Sequence, residues 1–169
     1  ICIVTGARAD YGLLYPLIKK VRDESSLELQ LVVTGMHLSS KFGLTYKQIE
    51  NDGFEIDYKV EMLLSSDTAV STSKSMGLGM IGFADAYEKL KPDLIVVVAF
   101  KLLPNSIIEI PKMGAINLHA SLLPKYRGAA PIQHALINND KETGNTTFFI
   151  QSKIDTGNII LQEKVKIHV

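Results

Sequence analysis

The sequence predicts an α/β protein: a doubly wound, mostly parallel sheet with helices on both faces and an antiparallel strand pair at its C-terminal end. Three observations predict it. Short apolar runs alternate with stretches of helical spacing, the pattern of successive β-α units. One run, residues 94–100, is apolar throughout, as expected of a strand covered on both faces. Near the C-terminus two strand-like runs, 146–151 and 159–167, are joined through Asp-Thr-Gly at 155–157, whose turn chemistry suits a tight antiparallel return. With 169 residues, 46% of them apolar and 21% charged, the chain suits a single domain, 1–169, with a sizeable core.

The elements follow in order. Residues 1–4 are an apolar strand ended by Thr5 and Gly6. Residues 9–24 have helical spacing, with Leu13, Leu14, Leu17, Ile18 and Val21 on one stripe and Asp10 as the expected N-cap. A strand, a turn and a helix start make an anion site, to which Arg8 and Asp10 belong. An ordinary turn with a solvated Arg8 fits the same residues. Residues 27–34 form a second strand, 44–51 a short helix stopped by Asp52 and Gly53, and 54–60 a half-exposed strand. A Ser/Thr-rich loop at 65–75 leads to a helix over 76–90, broken by Lys91-Pro-Asp. Inside that helix, Gly77, Gly79 and Gly82 match the dinucleotide pattern of three glycines. They follow no strand and open no helix, so they read as close helix-packing glycines. After the buried strand come a short helix at 103–110, a central strand at 115–122, and a helix at 130–137 with Pro131 in its first turn.

Composition narrows the function. Formal charge is zero, yet residues 1–100 carry −3 and residues 101–169 carry +3, and no basic stripe is dense enough for tight nucleic-acid binding. The one cysteine, Cys2, lies in an apolar run and fits a reducing compartment. No apolar stretch reaches membrane length and no signal peptide is visible, so the expected setting is cytoplasmic. No metal-ligand cluster stands out.

The candidate chemistry is in the central strand. Asn117 and His119 alternate with Leu118, so they project from one face. One offers an amide donor, the other a group that titrates near neutral pH. Ser121, Leu122 and Pro124 follow, and then a basic, Gly-punctuated loop, Lys-Tyr-Arg-Gly, at 125–128. Asp155 supplies a carboxylate that could orient His119. Such a trio polarises a carbonyl and moves a proton. The bland reading of the same residues is a histidine bonded to a backbone carbonyl and an aspartate in a turn.

Six runs tie this half to a family: Val-Val-Val-Ala-Phe at 96–100, Leu-Leu-Pro at 102–104, Asn-Leu-His-Ala-Ser-Leu-Leu-Pro at 117–124, Tyr-Arg-Gly-Ala-Ala-Pro at 126–131, Glu-Thr-Gly at 142–144 and Ile-Asp-Thr-Gly at 154–157. From about residue 92 to residue 169 the chain resembles the folate-dependent formyltransferases, most of all the methionyl-tRNA type. The resemblance implies a Rossmann-like domain, 10-formyltetrahydrofolate as formyl donor and an amine acceptor. It makes Asn117, His119 and Asp155 catalytic. It puts the folate near Val98, Phe100, Leu102, Leu103, Ser121, Leu122 and Pro124. The family's acceptor loop and its tRNA-binding C-terminal domain have no counterpart here, so it implies a folate-binding core with weak or absent turnover on tRNA.

Residues 1 to about 95 resemble a second family. Gly-Ala-Arg-Ala-Asp-Tyr-Gly at 6–12, Val-Thr-Gly-Met-His-Leu at 33–38, Phe-Gly-Leu-Thr-Tyr at 42–46, Met-Leu-Leu-Ser-Ser-Asp at 62–67 and Ser-Met-Gly-Leu-Gly at 75–79 are similar to the hydrolysing UDP-N-acetylglucosamine 2-epimerases. Ala99-Phe100 stands where that family has Gly-Asp, so epimerase activity is not expected. The pair of resemblances implies a chimera joined near 90–96. Its alternatives to an enzyme are an inactive engineered scaffold or a nucleotide-sugar-binding fragment.

Overall fold

Seven strands form one sheet in the computed structural model, which describes residues 1–98 and 105–167. They are β1 (Cys2–Thr5), β2 (Gln30–Thr34), β3 (Tyr58–Val60), β4 (Ile95–Val98), β5 (Ala115–His119), β6 (Glu142–Phe149) and β7 (Ile159–Lys166). Their order is β3-β2-β1-β4-β5-β6-β7. The first five are parallel; β5–β6 and β6–β7 pair antiparallel. This is the doubly wound, mostly parallel architecture that the sequence predicts. The order reverses between β1 and β4, the switch point of the sheet.

Alternation along each strand divides the core into two layers. Ile3, Leu31, Val33 and Val96 face helix α1 (Arg8–Asp23), packing with Tyr11, Leu14, Ile18 and Val21. Cys2, Val4, Val32, Ile95 and Val97 face the other way, against Phe83, Ala86 and Tyr87 of the 22-residue helix α3 (Ala69–Leu90). The short helix α2 (Tyr46–Asn51) adds Ile49 to the first layer. Two further short helices, α4 (Asn105–Ile108) and α5 (Pro131–Ile137), follow β4 and β5.

Several expected boundaries move. Helix α1 caps on Ala7, not Asp10; Asp10 sits in the first turn, and its carboxylate accepts from the amides of Gly6 at 2.8 Å and Ala7 at 2.7 Å. Its apolar stripe is narrower than expected: Leu13 is 71% exposed and Leu17 lies at the edge, while Tyr11 takes the buried place. Helix α3 starts at residue 69, not 76, because Thr68 accepts from the Ser71 amide and sets the first turn inside the Ser/Thr-rich stretch. The strands expected at 27–34 and 54–60 shrink to Gln30–Thr34 and Tyr58–Val60. The glycine reading holds in part. A Cβ on Gly82 would meet Val60 at 2.7 Å and one on Gly79 would meet Met62 at 2.9 Å, whereas Gly77 faces open space.

Candidate active site

Strand β5 is where the sheet changes sense. Val97 pairs with Asn117 in parallel on one side; Phe148 and Thr146 face Asn117 and His119 in antiparallel on the other. The expected alternation is present: Leu118 is 43% exposed and His119 is 8% exposed. Asn117 is half-buried, and its Oδ1 is buried without a hydrogen-bond partner among the described residues. An unmatched buried acceptor of this kind is costly, and it marks a place where a donor from outside would be welcome.

His119 lies between two acceptors. Its Nε2 donates to the Tyr126 carbonyl at 2.8 Å, and its Nδ1 is 3.6 Å from Asp155 Oδ2. That carboxylate oxygen also accepts the Gly128 amide at 2.8 Å. Both side chains are about nine-tenths buried. Both readings of the sequence are therefore present together: the histidine meets a backbone carbonyl, and the aspartate faces its other nitrogen. With hydrogen on Nε2 the neutral ring serves Tyr126 and turns a lone pair toward the carboxylate. A second proton, on Nδ1, turns that contact into an attraction.

The segment 124–128 thus addresses both residues through its main chain. Tyr126 and Gly128 adopt positive φ, 56° and 90°. Tyr126 is fixed from outside: its hydroxyl donates to Asp140 at 2.8 Å and accepts from Asn138 at 3.0 Å, and its ring stacks on His134. Lys125 reaches the same carboxylate at 2.7 Å. The bonds from Lys125 and then Tyr126 hold the Asp140 carboxyl below its ordinary range, and the partner lysine is correspondingly raised.

Beneath the segment, Thr146 is a hub. Its fully buried hydroxyl donates to the Ser121 carbonyl at 2.6 Å and accepts from the Leu123 amide at 3.1 Å and Gln162 Nε2 at 2.9 Å. It ties the end of β5 to β6 and β7.

Asp155 arrives by a longer route than a tight return. Strands β6 and β7 are joined by residues 150–158, and β6 ends beside Ile116, three positions below His119. That is a gap of roughly 10 Å at strand rise. A two-residue turn would leave the aspartate at the wrong end of β5, so the loop folds back up the face of the sheet. Asp155 takes φ 51°, and Gly157 packs so closely that a Cβ would land on the Phe149 carbonyl.

The other predicted residues fare differently. Val98 ends β4 beside Leu118, and Leu122 and Pro124 lie in the turn after β5. Ser121 is fully buried, and its hydroxyl is spent on the Lys125 carbonyl at 2.6 Å; it braces the turn and presents nothing to a ligand. Phe100, Leu102 and Leu103 lie outside the described residues. At the first helix, where an anion site is expected of Arg8 and Asp10, the Asp10 carboxylate accepts the Gly6 and Ala7 amides. Beside it, buried His37 contacts Thr5 Oγ1 at 3.0 Å and Thr45 Oγ1 at 2.7 Å. Burial lowers its pKa, against the upward pull of Asp10. Tyr126, Gly128, Asp140 and Thr146 were not singled out. For Thr146 the missing signal was the strand register; for Gly128 it was the positive φ that only the loop's path requires.

Comparison with known proteins finds relatives of the chain. The family model described as "Formyl transferase" matches residues 25–169. A methionyl-tRNA formyltransferase of Chlorobium phaeovibrioides is 58% identical over 87 residues, 52% of this chain and 27% of that protein. One from Porphyromonas gingivalis is 44% identical over 115 residues, 68% of this chain and 36% of that protein. The match therefore spans about a quarter to a third of these relatives' length. Among solved structures, a phosphoribosylglycinamide formyltransferase of Anaplasma phagocytophilum superposes with a TM-score of 0.74 at 20% identity, covering 99% of this chain and 71% of that one. That likeness speaks to the fold.

Proposed function

The chain belongs to the formyl transferase family, and we propose that it carries the catalytic core of a formyl transfer from 10-formyltetrahydrofolate to an amine, with methionyl-tRNA as the acceptor class suggested by its relatives. The observation that carries the reading is the approach of His119 Nδ1 to Asp155 Oδ2, 3.6 Å between residues 36 positions apart.

The roles follow from the chemistry. The acceptor nitrogen adds to the formyl carbon, and the carbonyl oxygen becomes an oxyanion. The Asn117 amide is the donor for it, a kind of contact worth ~3–4 kcal/mol in other enzymes. The bond from the formyl carbon to the folate nitrogen then breaks. The proton leaving the amine ends on that nitrogen, and His119 is the group to carry it. Its Nδ1 is the looser side of the ring, since Nε2 is held by Tyr126. Asp155 orients the ring. Val98, Leu122 and Pro124 would line the folate pocket at the carboxyl ends of the strands. A cytoplasmic setting belongs to the same proposal, as does action of residues 1–169 as one unit.

A chimera remains a separate reading, resting on the epimerase-like runs in residues 1–95. The family match weighs against a splice at 90–96, because it begins at residue 25 and continues through that junction. A nucleotide-sugar site is disfavoured by the Asp10 carboxylate at the first helix.

Isothermal titration tests the readings together. A non-reactive 10-formyltetrahydrofolate analogue should bind and UDP should not. The chain should release formate slowly from the true donor, and His119→Ala should stop this at unchanged melting temperature. Absence of analogue binding by the unaltered chain would overturn the proposal; binding of UDP alone would favour the sugar-nucleotide fragment.

A further inference from the structure

We propose that the outward face of α3 is a self-association surface, on which two copies of this chain pack antiparallel about a two-fold axis near Ile81. The inference stands apart from formyl transfer and uses none of its residues.

The inner face of α3 is covered. Ser71, Ser75, Gly79, Phe83, Ala86 and Tyr87 are buried against the sheet. The outer face is mixed: it carries Lys74, Asp85 and Glu88 toward its ends and exposed apolar side chains between and beside them. On this face Val70 and Ile81 are each 65% exposed, and Met80, on its flank, is 47% exposed. Gly77 belongs to the glycine pattern in this helix, yet it is the member with no neighbour at its Cβ position. Gly79 and Gly82 are explained by Met62 and Val60. A smooth, apolar centre of this kind lets a second helix approach closely.

Charge selects the occupant. Residues 70, 74, 77, 81, 84 and 88 recur at alternating spacings of four and three, which places them on one stripe. Along it the sequence reads Val, Lys, Gly, Ile, Ala, Glu, with Asp85 adjoining. The N-terminal half is positive and the C-terminal half negative. Lys74 and Glu88 lie equally far along the chain on either side of Ile81. None of Lys74, Asp85 and Glu88 has an ion-pair partner among the described residues. An antiparallel two-fold therefore sets Lys74 of each copy against Glu88 of the other, with Ile81 against Ile81 and the small residues Gly77 and Ala84 at the crossing. A parallel arrangement would oppose like charges at both ends, and is disfavoured for that reason. Because the stripe complements itself, its fitting partner is a second copy, through an isologous contact.

Sedimentation equilibrium on the 169-residue chain tests this. A dimer is expected at micromolar concentration. Ile81→Lys, which places two like charges on the axis, should raise its dissociation constant more than about a hundredfold. Lys74→Glu and Glu88→Lys should each raise it about tenfold or more, and the double reversal should restore it, since the pairs are re-formed with signs exchanged. All three sites are exposed, so circular dichroism should report an unchanged fold. A chain that stays monomeric at high micromolar concentration overturns the proposal. So does a dimer indifferent to Ile81→Lys, or charge reversals that fail to rescue one another.

Discussion

Replacing Thr146 by valine tests whether the site is built on one buried hydroxyl. The substitution keeps shape and deletes a hydroxyl that serves three partners: the Ser121 carbonyl, the Leu123 amide and Gln162 Nε2. Gln162 retains the Leu123 carbonyl at 2.8 Å, so its loss is partial. The Ser121 carbonyl and the Leu123 amide are left unpaired in a buried place. At ~1–3 kcal/mol each, the cost is roughly 2–6 kcal/mol. Against a typical domain stability of ~5–15 kcal/mol that is a large fraction. Thr146→Ser keeps every hydrogen bond and loses one methyl, for about 1 kcal/mol. The chain has no tryptophan, so urea denaturation is best followed by far-ultraviolet circular dichroism. Hydrogen exchange at the Leu123 amide gives the local reading. The valine variant should unfold at markedly lower urea, with fast exchange at Leu123, and the serine variant should stay near the parent. A valine variant within ~0.5 kcal/mol of the parent, or a serine variant less stable than it, would refute the hub.

Two further outcomes are expected. Burial holds the His37 pKa below its ordinary 6.5, so the unfolded chain takes up that proton first as pH falls. Its contribution to stability is complete above about pH 6.5 and is lost on acidification toward the folded value. Urea midpoints measured from about pH 7.5 to 5 should fall, and His37→Gln should flatten that slope; a slope unchanged in the variant would show that other groups cause it. At Gly157 any Cβ collides with the Phe149 carbonyl, so Gly157→Ala should displace the loop carrying Asp155. It should lower the melting temperature and weaken donor-analogue binding together, and an unaltered melting curve would show that the loop does not pack there.

The alternation of apolar runs was enough to read the β-α order, because each layer of the core takes every second residue of its strand. The pairing of Asn117 with His119 was readable for the same reason. Helix starts were read less well: Thr68 looks like one more polar loop residue until its hydroxyl is seen on the Ser71 amide. The expected cap at Asp10 is instead a residue in the first turn, whose carboxylate reaches back to the Gly6 and Ala7 amides ahead of the helix rather than to the amides after a cap. The Asp155 approach was anticipated, but its path was not, because the Asp-Thr-Gly run has turn chemistry without stating how far the loop must climb. The contacts from Tyr126 and Gly128 leave no trace in side-chain identity, since they are made by main-chain atoms.

That use of the main chain has a consequence for how the protein can vary. Tyr126 and Gly128 grip His119 and Asp155 with a carbonyl and an amide, groups that every residue but proline possesses. Arg127, exposed between them, is therefore free of the duty of holding the histidine and the aspartate. Its side chain can change in size, charge or reach while the geometry of histidine and aspartate stays constant. The loop separates what must be inherited from what can be tried. A lineage could vary this rim, one substitution at a time, without dismantling the pair underneath.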